Sequence, residues 1–191
     1  MKPSFRSLFA VVVALAACAT GPEVRSDYDP SVNFAQYRTY GFLPRDARGG
    51  DPGYSSLTDQ RIREAIAGEL EARGYQRSDN PDLLVNFSVT TKDIQEVRQV
   101  PTAMPPMGYY GWRDPFYTPW PAYTYETRVD NYVRGTLFVD LVDADRKKMV
   151  WEGIATGRVT EKVRENPAAA IDSVVAEIFS SYPFTAGRGA N

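Results

Sequence analysis

The sequence contains no histidine and a single cysteine, Cys18, in 191 residues. Without histidine there is no Ser-His-Asp or Cys-His catalytic pair, no histidine-ligated zinc and no haem held by an imidazole. With one cysteine there is no intrachain disulfide. Positive charge is not in excess either: 22 Lys and Arg stand against 24 Asp and Glu, a formal net charge of −2. This balance gives no support to nucleic-acid binding, which draws on basic groups against the phosphate backbone, nor to a polybasic membrane surface. The longest apolar run falls well short of the roughly 20 residues a bilayer-crossing helix needs.

What the chain does have begins with an address. Lys2 and Arg6 precede the apolar run LFAVVVALAA, Leu8 to Ala17, so residues 1–17 are expected to be a secretory signal. Leu15-Ala16-Ala17-Cys18 resembles the bacterial lipobox. The resemblance implies that Cys18 becomes an acylated N-terminus, held to a membrane more firmly than by one acyl chain. Ala19 follows the cysteine rather than an aspartate. By the sorting pattern of such lipoproteins this implies an outer-membrane lipoprotein facing the periplasm.

Residues 18–29 are polar, with Gly21 and Pro22, and are expected to form a lipidated tether. Tyr37 to Phe42 alternates as a first strand should, and Pro44 to Gly53 then breaks regular structure. Thr58 is placed to cap a helix whose stripe is Ile62, Ala65, Ile66 and Leu70, with Gly74 as its left-handed stop. Leu83, Val85, Phe87 and Val89 alternate with polar positions as a strand with one buried face, which Lys92 to Val100 continues or neighbours.

Val133, Gly135, Leu137, Val139 and Leu141 share a second strand face, Asp143 to Lys147 is the turn, and Met149 to Val159 is the antiparallel partner. Asn166-Pro167 opens a helix with the stripe Ile171, Val174, Val175, Ile178 and Phe179, and residues 185–191 read as a flexible tail. Amphipathic helices and a half-apolar sheet bury their surfaces against each other. The expectation is one α+β domain over residues 30–184, mainly antiparallel, with two helices packed on one face.

Several segments taken in order resemble the DUF4136 family of bacterial envelope lipoproteins. They are YDPSVNFAQYRTYGFLP at 28–44, PDLLVNFSV at 81–89, GTLFVDLVDADRKKMVWEGIATGRV at 135–159 and the closing IFSSYP at 178–183, together with the lipobox. The resemblance implies location and fold, carries no catalytic residues over, and covers nearly the whole mature chain.

No constellation in the sequence matches an enzyme, and no metal or cofactor is expected. Asp140, Asp143 and Asp145 lack the spacing, glycine and closing glutamate of a calcium loop and read as an acidic turn. Gly49, Gly50 and Gly53 lack the lysine of a phosphate loop. Glu152 and Asp140 could face each other across the hairpin, as paired carboxylates would for glycoside chemistry. Ser55, Ser56 and Lys92 match no acylating motif.

The richest candidate is the segment 101–125, which holds six prolines and eight aromatic residues. Tyr109, Tyr110, Trp112, Phe116, Tyr117, Trp120, Tyr123 and Tyr125 could stack on sugars or seat a partner's side chains, with Arg113 and Asp114 to orient a polar group. The same rings could instead fold back over a sheet edge or lie disordered near the membrane. Tyr28, Phe34, Tyr37 and Tyr40 are expected in the core or sheet. The functional expectation is a non-enzymatic, lipid-anchored periplasmic domain that binds or scaffolds an envelope component, an envelope protein or peptidoglycan. The alternative is a small-ligand or peptidoglycan-binding lipoprotein with weak hydrolytic activity.

Overall fold

A computed structural model of the chain describes residues 21–44, 56–103 and 123–190. Its frame is a six-stranded sheet built around two strands of 21 residues each, β4 (Leu83–Ala103) and β5 (Tyr123–Asp143). β5 pairs antiparallel with β4 on one side and with β6 (Lys148–Arg158) on the other. β1 (Glu23–Tyr28) closes the β6 edge, while β2 (Thr39–Phe42) and β3 (Gln76–Arg77) lie beyond β4.

The sheet is mixed rather than antiparallel throughout, because β2 runs parallel to both β4 and β3. The cause is connectivity. α1 (Leu57–Ala72) lies between β2 and β3 in the chain, and a helical crossover returns the next strand in the same direction.

α1 starts two residues earlier than its sequence suggested. Ser56, not Thr58, is the cap: its hydroxyl accepts the N–H of Asp59, and the Asp59 carboxylate reaches back to the Ser56 N–H at 3.1 Å. This reciprocal pair satisfies two donors that the first helical turn leaves open. Ile62, Ile66 and Leu70 then fall four residues apart on one buried stripe. Gly74 ends the helix at φ 85°, where its N–H reaches the carbonyl of Glu71 and the next N–H, of Tyr75, reaches that of Leu70. α3 (Pro167–Ser180) begins as expected, with the Asn166 side chain accepting from the Ala169 N–H and proline in the first turn. A short helix of five residues, α2 (Glu161–Glu165), precedes it and had no counterpart in the sequence reading.

One core joins these parts: Ile62, Ile66 and Leu70 of α1, Val175, Ile178 and Phe179 of α3, and Leu83, Val85, Leu137, Val139, Leu141 and Trp151 of the sheet. The register explains the grouping, since it sets Val85 opposite Leu141 and Leu141 opposite Trp151. Gly153 makes room for them. A Cβ at this position would lie 2.4 Å from both the Trp151 ring and Ile178, closer than any real contact. Between Leu141 and Val142 the pairing with β6 shifts by one residue, so that Val150 and Trp151 are both buried although adjacent.

Both ends of the fold are more ordered than their composition implied. Glu23–Tyr28, expected within the tether, is hydrogen-bonded along β6. Residues after Phe184, expected as a flexible tail, form a second small sheet of β7 (Phe184–Thr185) and β8 (Arg188–Ala190). The Ala186 and Gly187 N–H groups donate to the carbonyls of Arg73 and Tyr37, both at 3.0 Å. Phe184 stacks flat on Phe34 at 3.7 Å, inside a ring cluster that includes Tyr28, Tyr37 and Tyr182. A local reading of a glycine-containing tail cannot see a ring waiting for it more than a hundred residues away.

Candidate functional site

Beyond the body, β4 and β5 continue alone. β6 follows β5 outward only as far as Arg158 opposite Arg134, and β2 follows β4 only to Phe42 opposite Val85. From Asp93 to Ala103 and from Tyr123 to Val133 the two strands pair with each other and with no other described strand. At about 3.3 Å per residue this ribbon extends roughly 35 Å. It resolves the open question about Lys92 to Val100, which continues β4 rather than forming a neighbouring strand. It also narrows the excursion, because Pro101–Ala103 and Tyr123–Tyr125 belong to paired strands.

Alternation gives the ribbon two unlike faces. One carries Val89, Val97, Val129 and Tyr125, exposed by 49, 61, 48 and 67%. This face runs on from Leu83, Val85 and Phe87 without a break in register, with Asp93, Gln95 and Asn131 set between its exposed valines. The other face is charged and unusually arranged. Lys92 stands opposite Arg134, Glu96 opposite Asp130, and Arg98 opposite Arg128. Like charges placed directly across a ladder repel. The compensation within the chain runs along the strand and from β6: Glu96 meets Arg98 at 2.6 Å and Arg158 at 3.1 Å, and Arg158 also lies over the Tyr132 ring at 3.8 Å.

The sequence-derived site residues separate into three groups. Cys18, Tyr109, Tyr110, Trp112, Arg113, Asp114, Phe116, Tyr117 and Trp120 lie outside the described residues, as do Ser55 and the glycines at 49, 50 and 53. Tyr123 opens β5 opposite Ala103, at the outer end of the ribbon. The remaining polar candidates hold the fold together. Asp143 accepts the Tyr37 hydroxyl at 2.7 Å and the N–H groups of Arg146 and Asp145, which makes it the organiser of the β5–β6 turn. Burial works against its charge, but the Arg146 N–H and the Tyr37 hydroxyl prevail and hold its carboxyl below the usual range. Burial, reinforced by Asp143, pushes the Tyr37 hydroxyl up to about 12.

Ser56 is spent on the helix cap, and Lys92 stands apart from it at the base of the ribbon. Asp140 and Glu152 do come to face each other, as their positions allowed, in a row that runs from Asn86 on β4 to Asp27 on β1. The Asn86 amide donates to Asp140 at 2.6 Å. Among the described residues no group of acidic side chains is arranged to hold a metal ion.

Tyr28, Phe34, Tyr37 and Tyr40 fall where the sequence placed them. Phe34, Tyr37 and Tyr40 are buried, and Tyr28 sits on the edge strand against Phe34 and Phe184. Sequence reasoning missed Asp82, which accepts the N–H groups of Arg38 and Thr39 at 2.8 and 2.9 Å and so fastens β2 to β4. It left Lys92 to Val100 open between a continuation and a neighbouring strand, and did not see that the outer halves of β4 and β5 pair as a ribbon.

With the geometry in hand, the family described as a domain of unknown function, DUF4136, matches residues 24–184. The chain belongs to the DUF4136 family. The match runs from β1 to the first residue of β7, so this DUF4136 domain includes the edge strand, the ribbon and both long helices. No curated protein matches the chain. Among solved structures, a PDZ domain protein from Parabacteroides distasonis ATCC 8503 is similar at 14% identity and TM-score 0.52 over 87% of this chain. The DUF4136 chain spans only 36% of that protein, and the likeness concerns the fold alone. Two structures of a PelC dodecamer from Paraburkholderia phytofirmans match at 15 and 16% identity, over 87 and 86% of this chain and 99% of that one, each with TM-score 0.47.

Proposed function

We propose that this DUF4136 chain is a lipid-anchored, non-enzymatic domain of the bacterial envelope, tethered through Cys18 to the outer membrane and facing the periplasm. In this reading α1 and α3 cover one face of the sheet, and the ribbon presents residues 104–122 to another envelope component. The observation that carries it is the ribbon itself. Two strands leave a complete core and continue for roughly 35 Å to the point where the chain enters its segment richest in proline and aromatic residues. A domain that needed the segment only to connect two strands would do so with a short turn at the body's edge. A segment rich in aromatic residues suits contact with a partner, since large rigid rings bring area at low entropic cost. No helix among the described residues is long and apolar enough to cross a membrane, which is compatible with attachment by lipid.

The test is photo-crosslinking in cells from Tyr110 and from Trp120, with adducts from purified membranes identified by mass spectrometry. The expected result is one reproducible envelope protein captured from both positions. Absence of any adduct at either position overturns the reading. Lipid attachment is tested separately by Cys18→Ala, which is expected to move the chain from the membrane to the soluble fraction.

A further inference from the structure

We propose that the outer edge of β4 is a self-association surface on which a second copy of this chain lays its own β4, antiparallel, about a two-fold axis at Val97. From Asp93 outward this edge pairs with no described strand, and such an edge is a template for another strand. The pattern along the edge is self-complementary about one residue. With Val97 opposite Val97 of the second copy, Glu96 falls opposite Arg98 of that copy and Arg98 opposite its Glu96. Gln95 falls opposite Gln99, and Ile94 opposite Val100, so that charge meets opposite charge, amide meets amide and apolar meets apolar.

The charges of the ribbon give the arrangement its reason. Inside one chain Glu96 faces Asp130 and Arg98 faces Arg128, so β5 offers each the wrong sign directly across the ladder. The second copy offers the right sign on the open side. Val97 is 61% exposed although Val129 stands opposite it on β5, as fits a side chain whose other flank is open. The same construction on β5 is poorer, because an axis at Val129 that joins Arg128 to Asp130 also sets Tyr132 against Glu126. Closed two-fold pairing further limits growth, since each copy uses its β4 edge once. A membrane-inserted ribbon is disfavoured by Asp93, Gln95 and Asn131, which lie on the same face as Val97 and would have to meet lipid.

The association does not depend on acylation of Cys18 or on a partner for residues 104–122, so its failure leaves the proposed function standing, and the reverse holds too. Directly opposed residues in an antiparallel pair have Cα atoms about 4.5–5.5 Å apart, within the reach of a disulfide. Val97→Cys in the full chain, oxidised on isolated membranes and run on a non-reducing gel, is expected to give a covalent dimer, while Val129→Cys on the same ribbon remains monomeric. No dimer from Val97→Cys, or equal dimer from both positions, overturns the proposal.

A second measurement is independent of any disulfide and is built to survive a poorly folded variant. Two differently tagged copies are expressed together and one is purified in mild detergent. Glu96→Arg alone sets arginine against Arg98, and Arg98→Glu alone sets glutamate against Glu96. Each is expected to lower co-purification about tenfold or more relative to the unaltered chain, because opposed like charges suppress pairing strongly. Co-expression of Glu96→Arg with Arg98→Glu restores opposite signs at both positions and is expected to recover it. Failure of the unaltered copies to co-purify, or insensitivity to both single reversals, overturns the proposal.

Discussion

The inner and outer halves of β4 and β5 form one unbroken ladder, yet they belong to different kinds of structure. In the inner half Leu83, Val85, Val139 and Leu141 are fully buried in the one core cluster. In the outer half the same face carries Asp93, Gln95 and Asn131 between exposed valines, and the opposite face sets like charges against one another. The backbone pairing does not change along this length, so it is not what separates a core from a stalk. Side-chain cargo separates them, because hydrophobic area removed from water and close packing hold the inner half, while the outer half has only its ladder and some exposed ion pairs of small individual worth.

That contrast can be broken most forcefully at Trp151. Its ring is 1% exposed and touches Phe179 and Tyr182 at centroid distances of 5.5 and 5.1 Å. Trp151→Ala is expected to cost about 3–5 kcal/mol of stability through lost burial and the cavity left behind, read as a fall in the urea midpoint. A loss below about 1 kcal/mol would show that the body is not held by this cluster.

A smaller effect is expected at Asp143, where the core meets the turn. Asp143→Asn is expected to cost about 1–3 kcal/mol at neutral pH, because it weakens the charge-assisted acceptor for the Tyr37 hydroxyl and two backbone N–H groups. The carboxyl is held below its usual range in the folded chain, so its contribution is present above the ordinary carboxylate pKa near 4 and is lost as pH falls through the folded value. Stability measured down through pH 4 should therefore decline less steeply in Asp143→Asn than in the unaltered chain.

The smallest effect belongs to the ribbon. Val97→Thr keeps the β-branched shape at an exposed position and is expected to change stability by no more than about 0.5 kcal/mol. A larger loss in the unfolding midpoint, measured at a concentration where the chain is a monomer, would mean that the ribbon packs against something and that the two halves are less distinct than their side chains indicate.

Much of the body was legible in the sequence because its signals are local. The stripe Ile62, Ile66, Leu70 needs only the helical repeat, Asn166-Pro167 is a cap within two residues, and the alternation from Val133 to Leu141 places its own buried face. The parallel setting of β2 was hidden because strand direction depends on the crossover through α1 rather than on any strand's own residues. The strand β1 and the β7–β8 hairpin were hidden for a related reason. Their segments are short and polar or glycine-containing, and what orders them is a distant partner, β6 in one case and Phe34 in the other.

The candidate site divides along the same line. Its aromatic and proline composition, the resemblance of Leu15-Ala16-Ala17-Cys18 to a lipobox and the absence of a histidine- or cysteine-based catalytic set are properties of the chain read in one dimension. The use of Asp143, Asp82 and Ser56 in turns and caps, and the opposition of Glu96 to Asp130 and Arg98 to Arg128, exist only once strands are in register. Sequence by itself determined which residues alternate, which two helices have an apolar stripe and where α3 begins, because these follow from periodicities of two and 3.6 and from a side chain that bonds to its own backbone. Tertiary structure alone decided where the sheet stops and the ribbon starts, since that boundary lies where β6 and β2 cease to follow their neighbours, and pairing between distant segments is a property of the fold and not of either segment.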